Sequence, residues 1–214
     1  MHEFTPIDHI APGSDGALQT VERAFSVLHV LTDGPHTGSA LARRLGLKWA
    51  TAHRMLTTLT TLGYVERDEN GEYRLGLRAY ALGSAYVLSS RLHQAARPYL
   101  RAASLSAQVV AQIAERGGRS SIVLSVHEPK VDYVPETSVG CNFPLHCGSK
   151  GHVLLAWADP AFVDDYLSGP LEALTPYTCT DPDVLRATLD RVRRDGYAVT
   201  DRDVRLFSSS VAAP

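Results

Sequence analysis

Residues 39–75 constrain the fold of this chain more than any other segment, because their pattern changes twice within a short distance. Two stretches with helical spacing of apolar residues are separated by a turn at Gly46. Two short β-favouring segments follow, and Asn70-Gly71, the favoured pair for a tight hairpin, separates them. Two helices followed by a hairpin have the order of a winged helix-turn-helix. We therefore predict a DNA-binding domain over residues 17–76.

The second helical stretch, residues 49–62, predicts which side of its helix faces solvent. Its apolar residues form one stripe, consisting of Ala52, Met55, Leu56, Leu59 and Leu62. The opposite face carries small, hydroxyl-bearing and basic side chains, which suit a helix that enters a groove about 12 Å wide. The residues predicted to contact DNA are Lys48, Thr51, His53, Arg54, Thr57 and Thr58, with Arg67 and Arg74 in the hairpin. Arg54 is the first choice for a contact to a base or a phosphate.

A preceding helix is expected to complete the core of this domain. Its apolar residues are Val21, Ala24, Phe25, Leu28 and Leu31, and Asp33-Gly34-Pro35 ends it. Eight basic and six acidic residues lie between positions 17 and 78, so the domain is weakly basic and its non-specific DNA affinity is expected to be modest. The alternative is a winged module that docks another protein, with Arg43-Arg44 as a solvated face.

The composition excludes several other classes of protein. The 214 residues carry a formal net charge of −2, and no run approaches the roughly 18 apolar residues of a membrane span. Residues 1–16 contain no apolar signal-peptide core, so we expect a disordered arm. The three cysteines, Cys141, Cys147 and Cys179, include no Cys-x-x-Cys pair, which favours a reducing, cytoplasmic location. His146, Cys147 and His152 fit no standard zinc spacing, so we expect neither a metal nor a cofactor.

Residues 77–92 are expected to form a connector helix between two domains. Apolar residues recur on more than one of its sides, at Leu77, Ala81, Ala85, Leu88 and Leu92 and at Tyr80, Leu82, Tyr86 and Val87. Such a helix needs more than one partner, and we predict that the same helix of a second subunit is one of them. The alternative is a helix buried within one chain.

Residues 93–214 predict an α+β domain with a mixed or antiparallel sheet. Its predicted elements are a helix from Arg97-Pro98 to Arg116 closed by Gly117-Gly118, a hairpin of residues 121–127 and 131–134, a loop over residues 138–148, a helix through residues 153–157, helices that begin at Asp159-Pro160 and Asp181-Pro182, and strands over residues 197–200 and 207–212. The inner face of the last helix is predicted to consist of Val184, Leu185, Leu189 and Val192.

The loop before residue 153 is the candidate site of this second domain. A Cys147 nucleophile with a histidine base is one possibility, but no orienting carboxylate is marked nearby. We favour a binding loop that runs into a helix N-terminus, where free backbone N–H groups attract an anion. The residues predicted to hold a small acidic ligand are Ser149, Lys150, Thr200, Ser208 and Ser210. The alternative is a polar strand and an exposed lysine without a ligand.

Many short motifs in the same order make this chain resemble bacterial regulators of the IclR family. They are Val21-Glu22-Arg23-Ala24, Leu41-Ala42-Arg43-Arg44-Leu45-Gly46-Leu47, Thr51-Ala52-His53-Arg54-Met55-Leu56, Gly63-Tyr64-Val65, Tyr73-Arg74-Leu75-Gly76, Pro144-Leu145-His146, Gly151 with Leu154-Leu155-Ala156, Leu174-Thr175-Pro176-Tyr177-Thr178, Gly196-Tyr197 and Ala212-Ala213-Pro214. The resemblance implies a winged helix domain, a connector helix used in dimerisation, and a GAF-like domain that binds a small metabolite, often an organic or aromatic acid. Carried over by position, its pocket involves the same five residues named above.

The chain departs from the family pattern at several positions. Lys48-Trp49-Ala50 replaces the usual Pro-Lys-Ser before the recognition helix, so one phosphate-binding hydroxyl is absent. Lys150 stands where a small residue is usual, and His152 stands in place of a lysine. Family members usually continue beyond Ala212-Ala213-Pro214, so we expect the final strands of the domain to be missing.

The resulting expectation is a transcriptional regulator, by analogy a repressor, that forms a homodimer or, as the alternative, a tetramer. Two recognition helices would lie in successive major grooves, about 34 Å apart, on a near-palindromic operator of double-stranded DNA. A small acidic effector in the second domain would change the DNA affinity. The alternative is an enzyme that acts on a small acid and carries an appended winged-helix module.

Overall fold

The computed structural model describes residues 18–129 and 138–214. The predicted disordered arm and the predicted strand over residues 131–134 lie outside these ranges. The chain divides into two compact units, residues 1–94 and 95–214, which are referred to below as the N-terminal and C-terminal units. Within the described ranges, none of the helices has the length and apolar character needed to cross a membrane.

The described part of the N-terminal unit combines four α-helices and a 3-10 turn with a small antiparallel sheet. Its elements are α1 (Gln19–Val30), a 3-10 turn (Leu31–Asp33), β1 (His36–Thr37), α2 (Gly38–Arg44), α3 (Trp49–Thr61), β2 (Val65–Arg67), β3 (Glu72–Leu75) and α4 (Leu77–Ser89). The strand order is β1-β3-β2, and Arg67 and His36 both pair with Tyr73. The predicted helices and hairpin are therefore confirmed, and β1 is a third strand that the pattern did not predict.

The core of this unit holds α3 by one face. Its buried residues are Val27, Leu31, Leu41, Leu56, Leu59, Val65 and Tyr73. Ala52, Leu56 and Leu59 of the predicted stripe are buried, and Met55 is half-buried. The prediction is wrong for Leu62, which is half exposed because the helix ends at Thr61 and Leu62 is its C-cap.

The hairpin turn differs from the tight Asn-Gly turn that the sequence favours. Gly71 has a φ of +83°, whereas Asn70 is not among the described residues with positive φ, so the two-residue turn that needs both is absent. Instead, the Asp68 carboxylate accepts hydrogen bonds from the N–H groups of Asn70 (3.0 Å) and Glu72 (2.8 Å). Asp68 therefore closes a longer turn.

Helices α4 and α5 (Arg91–Ala107) divide the connector region differently from the prediction. The backbone leaves the helical region at Ser90, whose hydroxyl accepts a hydrogen bond from the His93 N–H group at 3.2 Å. The connector thus ends at Ser89 instead of residue 92, and the next helix begins at Arg91 instead of Arg97, with Pro98 inside it. A serine N-cap outweighs the usual preference of proline for the first helical turn.

The described residues of the C-terminal unit form two antiparallel sheets and, after α5, three further helices. Its elements after α5 are β4 (Ala111–Gly117), β5 (Ser120–His127), β6 (Asn142–Pro144), α6 (Gly148–Ala156), α7 (Pro160–Ser168), α8 (Pro182–Asp195), β7 (Ala198–Asp201) and β8 (Ser209–Ala212). One sheet has the order β4-β5-β6, and β7 pairs with β8 in the other. The α+β class is confirmed, and the described ladders are all antiparallel.

Two predictions about secondary structure are wrong because a segment pairs as a strand with another strand of the sheet. One of these strands pairs across a glycine turn, and the other pairs with a strand farther away in the sequence. Residues 111–117 are a strand paired with β5 and not the end of a helix, and Gly118, at a φ of +62°, lies in the hairpin turn between them. The predicted loop over residues 138–148 contains β6, which pairs with the first residues of β5. Local apolar spacing does not reveal either pairing.

The core of the C-terminal unit surrounds α6 and α8. Among its buried residues are Leu145, Val153, Leu155, Tyr166, Leu185, Leu189 and Val192. Asp159 and Asp181 cap α7 and α8 as predicted, and Gly196 ends α8 at a φ of +79°. Val184 was predicted to face inward but is exposed, because it lies in the first turn and points away from Leu185.

Replacing Gly151 with alanine is expected to destabilise the C-terminal unit. An added Cβ would lie 2.8 Å from the Leu145 carbonyl carbon and closer still to its oxygen, and backbone atoms cannot rotate away. Overpacking of this kind costs about 1–3 kcal/mol of unfolding free energy. Urea unfolding of the Gly151→Ala variant measures the cost, and an unchanged midpoint would show that α6 does not pack this closely.

Candidate nucleic-acid interface and effector site

The face of α3 that lies opposite its buried stripe is exposed. Its exposed residues are Ala50, His53, Arg54, Thr57, Thr58 and Thr61. The hydroxyl of Thr58 donates to the Arg54 carbonyl (2.9 Å) and that of Thr61 donates to the Thr57 carbonyl (3.0 Å). These two hydroxyl hydrogens are therefore occupied, and their oxygens face outward as acceptors only. The Arg54 guanidinium makes no hydrogen bond to any described residue, so all its donors are available.

The N-terminal end of α3 presents a cation and an aromatic ring. Lys48 is the exposed N-cap residue, and its side chain forms no cap hydrogen bond. Thr51 is half-buried. The indole of Trp49, which the sequence reasoning passed over, lies 5.4 Å from the His53 ring and so close to Gly38 that a Cβ there would be 2.8 Å from it.

The arginines of the hairpin are held by the hairpin itself. The Arg67 Nε donates to the Gly71 carbonyl at 3.1 Å, and its guanidinium lies 5.4 Å from the centre of the Tyr73 ring. Arg74 forms an ion pair with Glu66 at 3.2 Å. Arg67 is therefore a cation in a fixed position, while part of the Arg74 charge is neutralised on the protein surface.

A cleft of about 390 Å³ separates α3 from the hairpin. The residues that line it are Thr37, Gly38, Ser39, Trp49, His53, Arg67, Asn70, Gly71 and Tyr73. The two DNA-contact candidates His53 and Arg67 thus face one concave surface. The sequence pattern placed them on separate elements and did not predict this cleft.

Three of the predicted effector residues form one chain of hydroxyl groups. The Ser149 hydroxyl donates to the Ser210 oxygen at 2.8 Å, and Ser210 and Thr200 lie 3.0 Å apart. They come from the first turn of α6 and from the paired strands β7 and β8. The structure therefore brings together residues that are 61 positions apart, as the prediction requires.

The other two predicted residues have different surroundings. The Ser208 hydroxyl contacts the Arg205 carbonyl of its own loop at 3.4 Å and does not join the three hydroxyls. The Lys150 ammonium donates to Gln112 on β4 at 2.7 Å and lies 5.1 Å from the centre of the Phe143 ring on β6. Burial lowers the pKa of Lys150 to about 8.

The N-terminus of α6 is occupied by a carboxylate of the same chain. The Gly148 N–H group donates to Asp203 Oδ2 at 2.7 Å, and the Asp203 side chain is buried. An internal anion thus already occupies one N–H donor of this helix terminus, which disfavours a ligand anion there, and the predicted anion site at the terminus stays a prediction. The sequence offered no signal for this contact, which spans 55 residues.

The Cys147 and His146 side chains are not arranged as a nucleophile and its base. Burial raises the pKa of the Cys147 thiol, which favours the unreactive protonated form. The His146 ring bonds the Tyr166 hydroxyl through Nδ1 (2.8 Å) and the Glu172 carbonyl through Nε2 (2.9 Å), and burial lowers its pKa. Within the described ranges, no group of His, Cys, Asp and Glu side chains is placed to hold a metal ion.

Comparison with known proteins decides the family. Residues 20–69 match the IclR helix-turn-helix domain, and residues 84–214 match the C-terminal domain of the bacterial transcriptional regulator IclR. The chain belongs to the IclR family. It is a DNA-binding transcriptional regulator with an effector-binding C-terminal domain, as predicted.

Individual relatives align over most of this IclR-family chain. The glycerol operon regulatory protein of Streptomyces coelicolor is 32% identical over 92% of this chain and 78% of its own length. The regulator XynR of Escherichia coli is 28% identical over 92% of this chain and 80% of its own length. An IclR regulator structure from Alicyclobacillus acidocaldarius has a TM-score of 0.82, with 28% identity over 92% of this chain and 82% of that one.

A solved relative carries a small aromatic acid. This IclR homologue from Microbacterium hydrocarbonoxydans is complexed with 4-hydroxybenzoate. It has a TM-score of 0.77 and 29% identity, over 91% of this chain and 82% of that one.

Replacing Arg54 with alanine is expected to weaken operator binding. If the guanidinium contacts a base or phosphate, its loss costs about 1–3 kcal/mol, which is roughly 5- to 150-fold in dissociation constant. Fluorescence anisotropy with the DNA upstream of the gene measures this change. Arg194→Ala, which removes the same charge from an exposed position on α8, is the control and is expected to leave the affinity unchanged. Equal affinities for Arg54→Ala and the unaltered protein would contradict the role of Arg54.

Proposed function

We propose that this regulator is a cytoplasmic repressor that binds a near-palindromic operator through α3. A small organic or aromatic acid, bound in the C-terminal domain, changes its affinity for that operator. The observation that carries the proposal is the exposed face of α3, on which an unpaired Arg54 stands beside outward-facing threonine oxygens. An arginine and hydroxyl oxygens on one helix face match the donors and acceptors in the major groove.

The operator contacts divide into two groups by chemistry. Arg54, Thr57 and Thr58 on the middle of α3 are proposed to approach base edges, because they lie on the side opposite the core. Lys48, Thr51, His53, Arg67 and Arg74 lie at the end of α3 or in the hairpin and are proposed to lie along the phosphates. Of the two hairpin cations, Arg67 is the stronger candidate, because Glu66 already pairs with Arg74.

The proposed homodimer forms through α4. None of its residues is buried within the described chain, and Leu77 and Leu88 are each 74% exposed. These two leucines are 11 positions apart, so about three helical turns place them on the same side of the helix. Covering these apolar side chains with the same helix of a second copy removes them from water, which stabilises the dimer. A dimer with two-fold symmetry also matches the symmetry of a near-palindromic operator.

The proposed effector site is centred on the hydroxyls of Ser149, Thr200 and Ser210. They come from three elements and form a polar group beside the buried first turn of α6. The 4-hydroxybenzoate complex of the Microbacterium hydrocarbonoxydans relative supports an acid as the ligand class. Hydrogen bonds from neutral hydroxyls contribute about 0.5–1.5 kcal/mol each, which suits a ligand that must bind reversibly.

A catalytic role for the C-terminal unit is the second candidate, and its support is weaker. The raised pKa of Cys147 favours the thiol, and both ring nitrogens of His146 are hydrogen-bonded elsewhere. We therefore propose ligand binding without turnover for this unit.

Removing a hydroxyl from the effector site is expected to weaken the response to the acid. In Ser210→Ala, the Ser149 and Thr200 hydroxyls lose their shared partner. The acid concentration that gives half of the maximal change in DNA affinity should therefore rise about 2- to 10-fold. The measurement titrates a panel of small aliphatic and aromatic acids, including 4-hydroxybenzoate, into the operator complex. Ser209→Ala is the matched control, because the Ser209 hydroxyl donates to Asp201 at 2.6 Å instead. An identical response of the two variants would place the site elsewhere.

Placing a charge on the exposed face of α4 is expected to break the dimer. Leu88→Glu would bury a carboxylate against the second copy, which costs several kcal/mol without a partner. Analytical ultracentrifugation should then show a monomer at concentrations where the unaltered chain is a dimer. Ser89→Glu adds the same charge at the next residue and is the control. A dimeric Leu88→Glu variant would assign the interface to another surface.

A further inference from the structure

Lys150 is a cation in a largely buried position with neutral direct partners. It lies in the first turn of α6, between the buried residues Ser149 and Gly151, and its side chain extends towards β4 and β6. A lysine usually keeps its ammonium in water, because burial of a charge without a counterion is costly.

The contacts of Lys150 leave its charge incompletely compensated. Its ammonium has three N–H donors, of which one is taken by the Gln112 amide oxygen and another side faces the Phe143 ring. Among the described residues, no carboxylate forms an ion pair with it. An amide oxygen and an aromatic face are weaker partners for an ammonium than a carboxylate is.

The titration of Lys150 is consistent with this missing counterion. Burial is the largest cause that lowers its pKa to about 8, the nearby Arg205 lowers it further, and Cys141 acts in the opposite direction. At neutral pH most of the molecules therefore carry the ammonium form.

The alternative anchor for an anion, the N-terminus of α6, already has a carboxylate on one of its N–H groups. The buried Asp203 carboxylate accepts the Gly148 N–H group at 2.7 Å and brings its own negative charge to that position. A second carboxylate there would meet like-charge repulsion. Of these two positions in the first turn of α6, Lys150 is thus the one where a ligand anion gains an attractive partner.

We propose that Lys150 binds the carboxylate of the effector and makes this site selective for acids over neutral analogues of the same shape. This inference rests on the proposed function, in which a small acid binds in the C-terminal unit. It also gives a role to a residue at which the chain departs from the usual family pattern.

The test compares three acids with their primary amides on the full-length protein. The probes are acetate, benzoate and 4-hydroxybenzoate against acetamide, benzamide and 4-hydroxybenzamide, measured by calorimetry at pH 7. At least one acid is expected to bind the unaltered protein and to lose 10-fold or more of its affinity in Lys150→Met. The affinity for the amides is expected to change by less than 3-fold.

Two control variants separate charge from packing. Lys150→Arg keeps the charge and is expected to keep the preference for acids, while Arg194→Met removes an exposed charge from the same unit and is expected to change nothing. Without ligand, Lys150→Met is expected to raise Tm by a few degrees, because an apolar side chain replaces a poorly compensated charge. A purely structural lysine would give a lower Tm instead.

The pH dependence supplies an independent measurement. Lys150 loses its proton above pH 8, so the affinity of the bound acid should be constant below pH 7 and fall about tenfold for each pH unit well above 8. The groups that face Lys150 are Gln112, Phe143, Cys141 and Arg205, and the thiol of Cys141 is tested by substitution. If the affinity of Cys141→Ser for the acid falls in the same way above pH 8, the fall is due to Lys150. If the affinity of this variant no longer falls, the assignment to Lys150 is refuted.

Three outcomes overturn the proposal. They are full acid binding by Lys150→Met, equal affinity of the unaltered protein for an acid and its amide, and the absence of binding by all three acids. Operator binding in the absence of ligand is measured in parallel with the same preparations. If it persists, the regulator function stands and only the role of Lys150 fails.

Discussion

The burial of one stripe of α3 is the constraint on which the regulatory function of this protein depends. Ala52, Leu56 and Leu59 can all be buried only if the helix has one rotation about its axis, and that rotation turns Arg54 and Thr57 to solvent. A rotation of two residues, about 200°, would bury a guanidinium and expose leucines. Because both errors are costly, the apolar side of the helix determines the chemistry of its other side.

The sequence predicts several elements of both units well because their signals are local. The helical stripe, the turn at Gly46 and the capping aspartates of α7 and α8 all act over a few residues. The prediction fails where the deciding partner is elsewhere. Residues 111–116 have a spacing that a helix tolerates, and they become a strand because β5 supplies the hydrogen bonds.

The candidate effector site likewise has contacts that the sequence could predict and contacts that it could not. The sequence predicted Ser149, Thr200 and Ser210 to lie together, and the resemblance to IclR regulators pointed to the same residues, but it did not show that the neighbouring Lys150 contacts β4 and β6 instead. The contact of Asp203 with Gly148 could not be predicted, because it depends on the path of the loop between β7 and β8. The Asp203 carboxylate makes the helix terminus a poorer site for a second anion, although the general physics of helix termini favours one there.

Two opposite charges therefore lie at the first turn of α6, the Lys150 ammonium and the buried Asp203 carboxylate, whose Oδ1 has no hydrogen-bond partner among the described residues. Asp203 is stabilised by a backbone N–H group and the positive end of the helix, whereas Lys150 has an amide oxygen and a ring as its direct partners. A buried charge without a counterion lowers the unfolding free energy of the ligand-free protein. A ligand carboxylate that pairs with Lys150 recovers part of that free energy. The gain is largest in whichever conformation leaves Lys150 least compensated. A ligand can shift a conformational equilibrium only by such a difference in affinity, so this lysine gives the acid a physical means to change the state of the regulator.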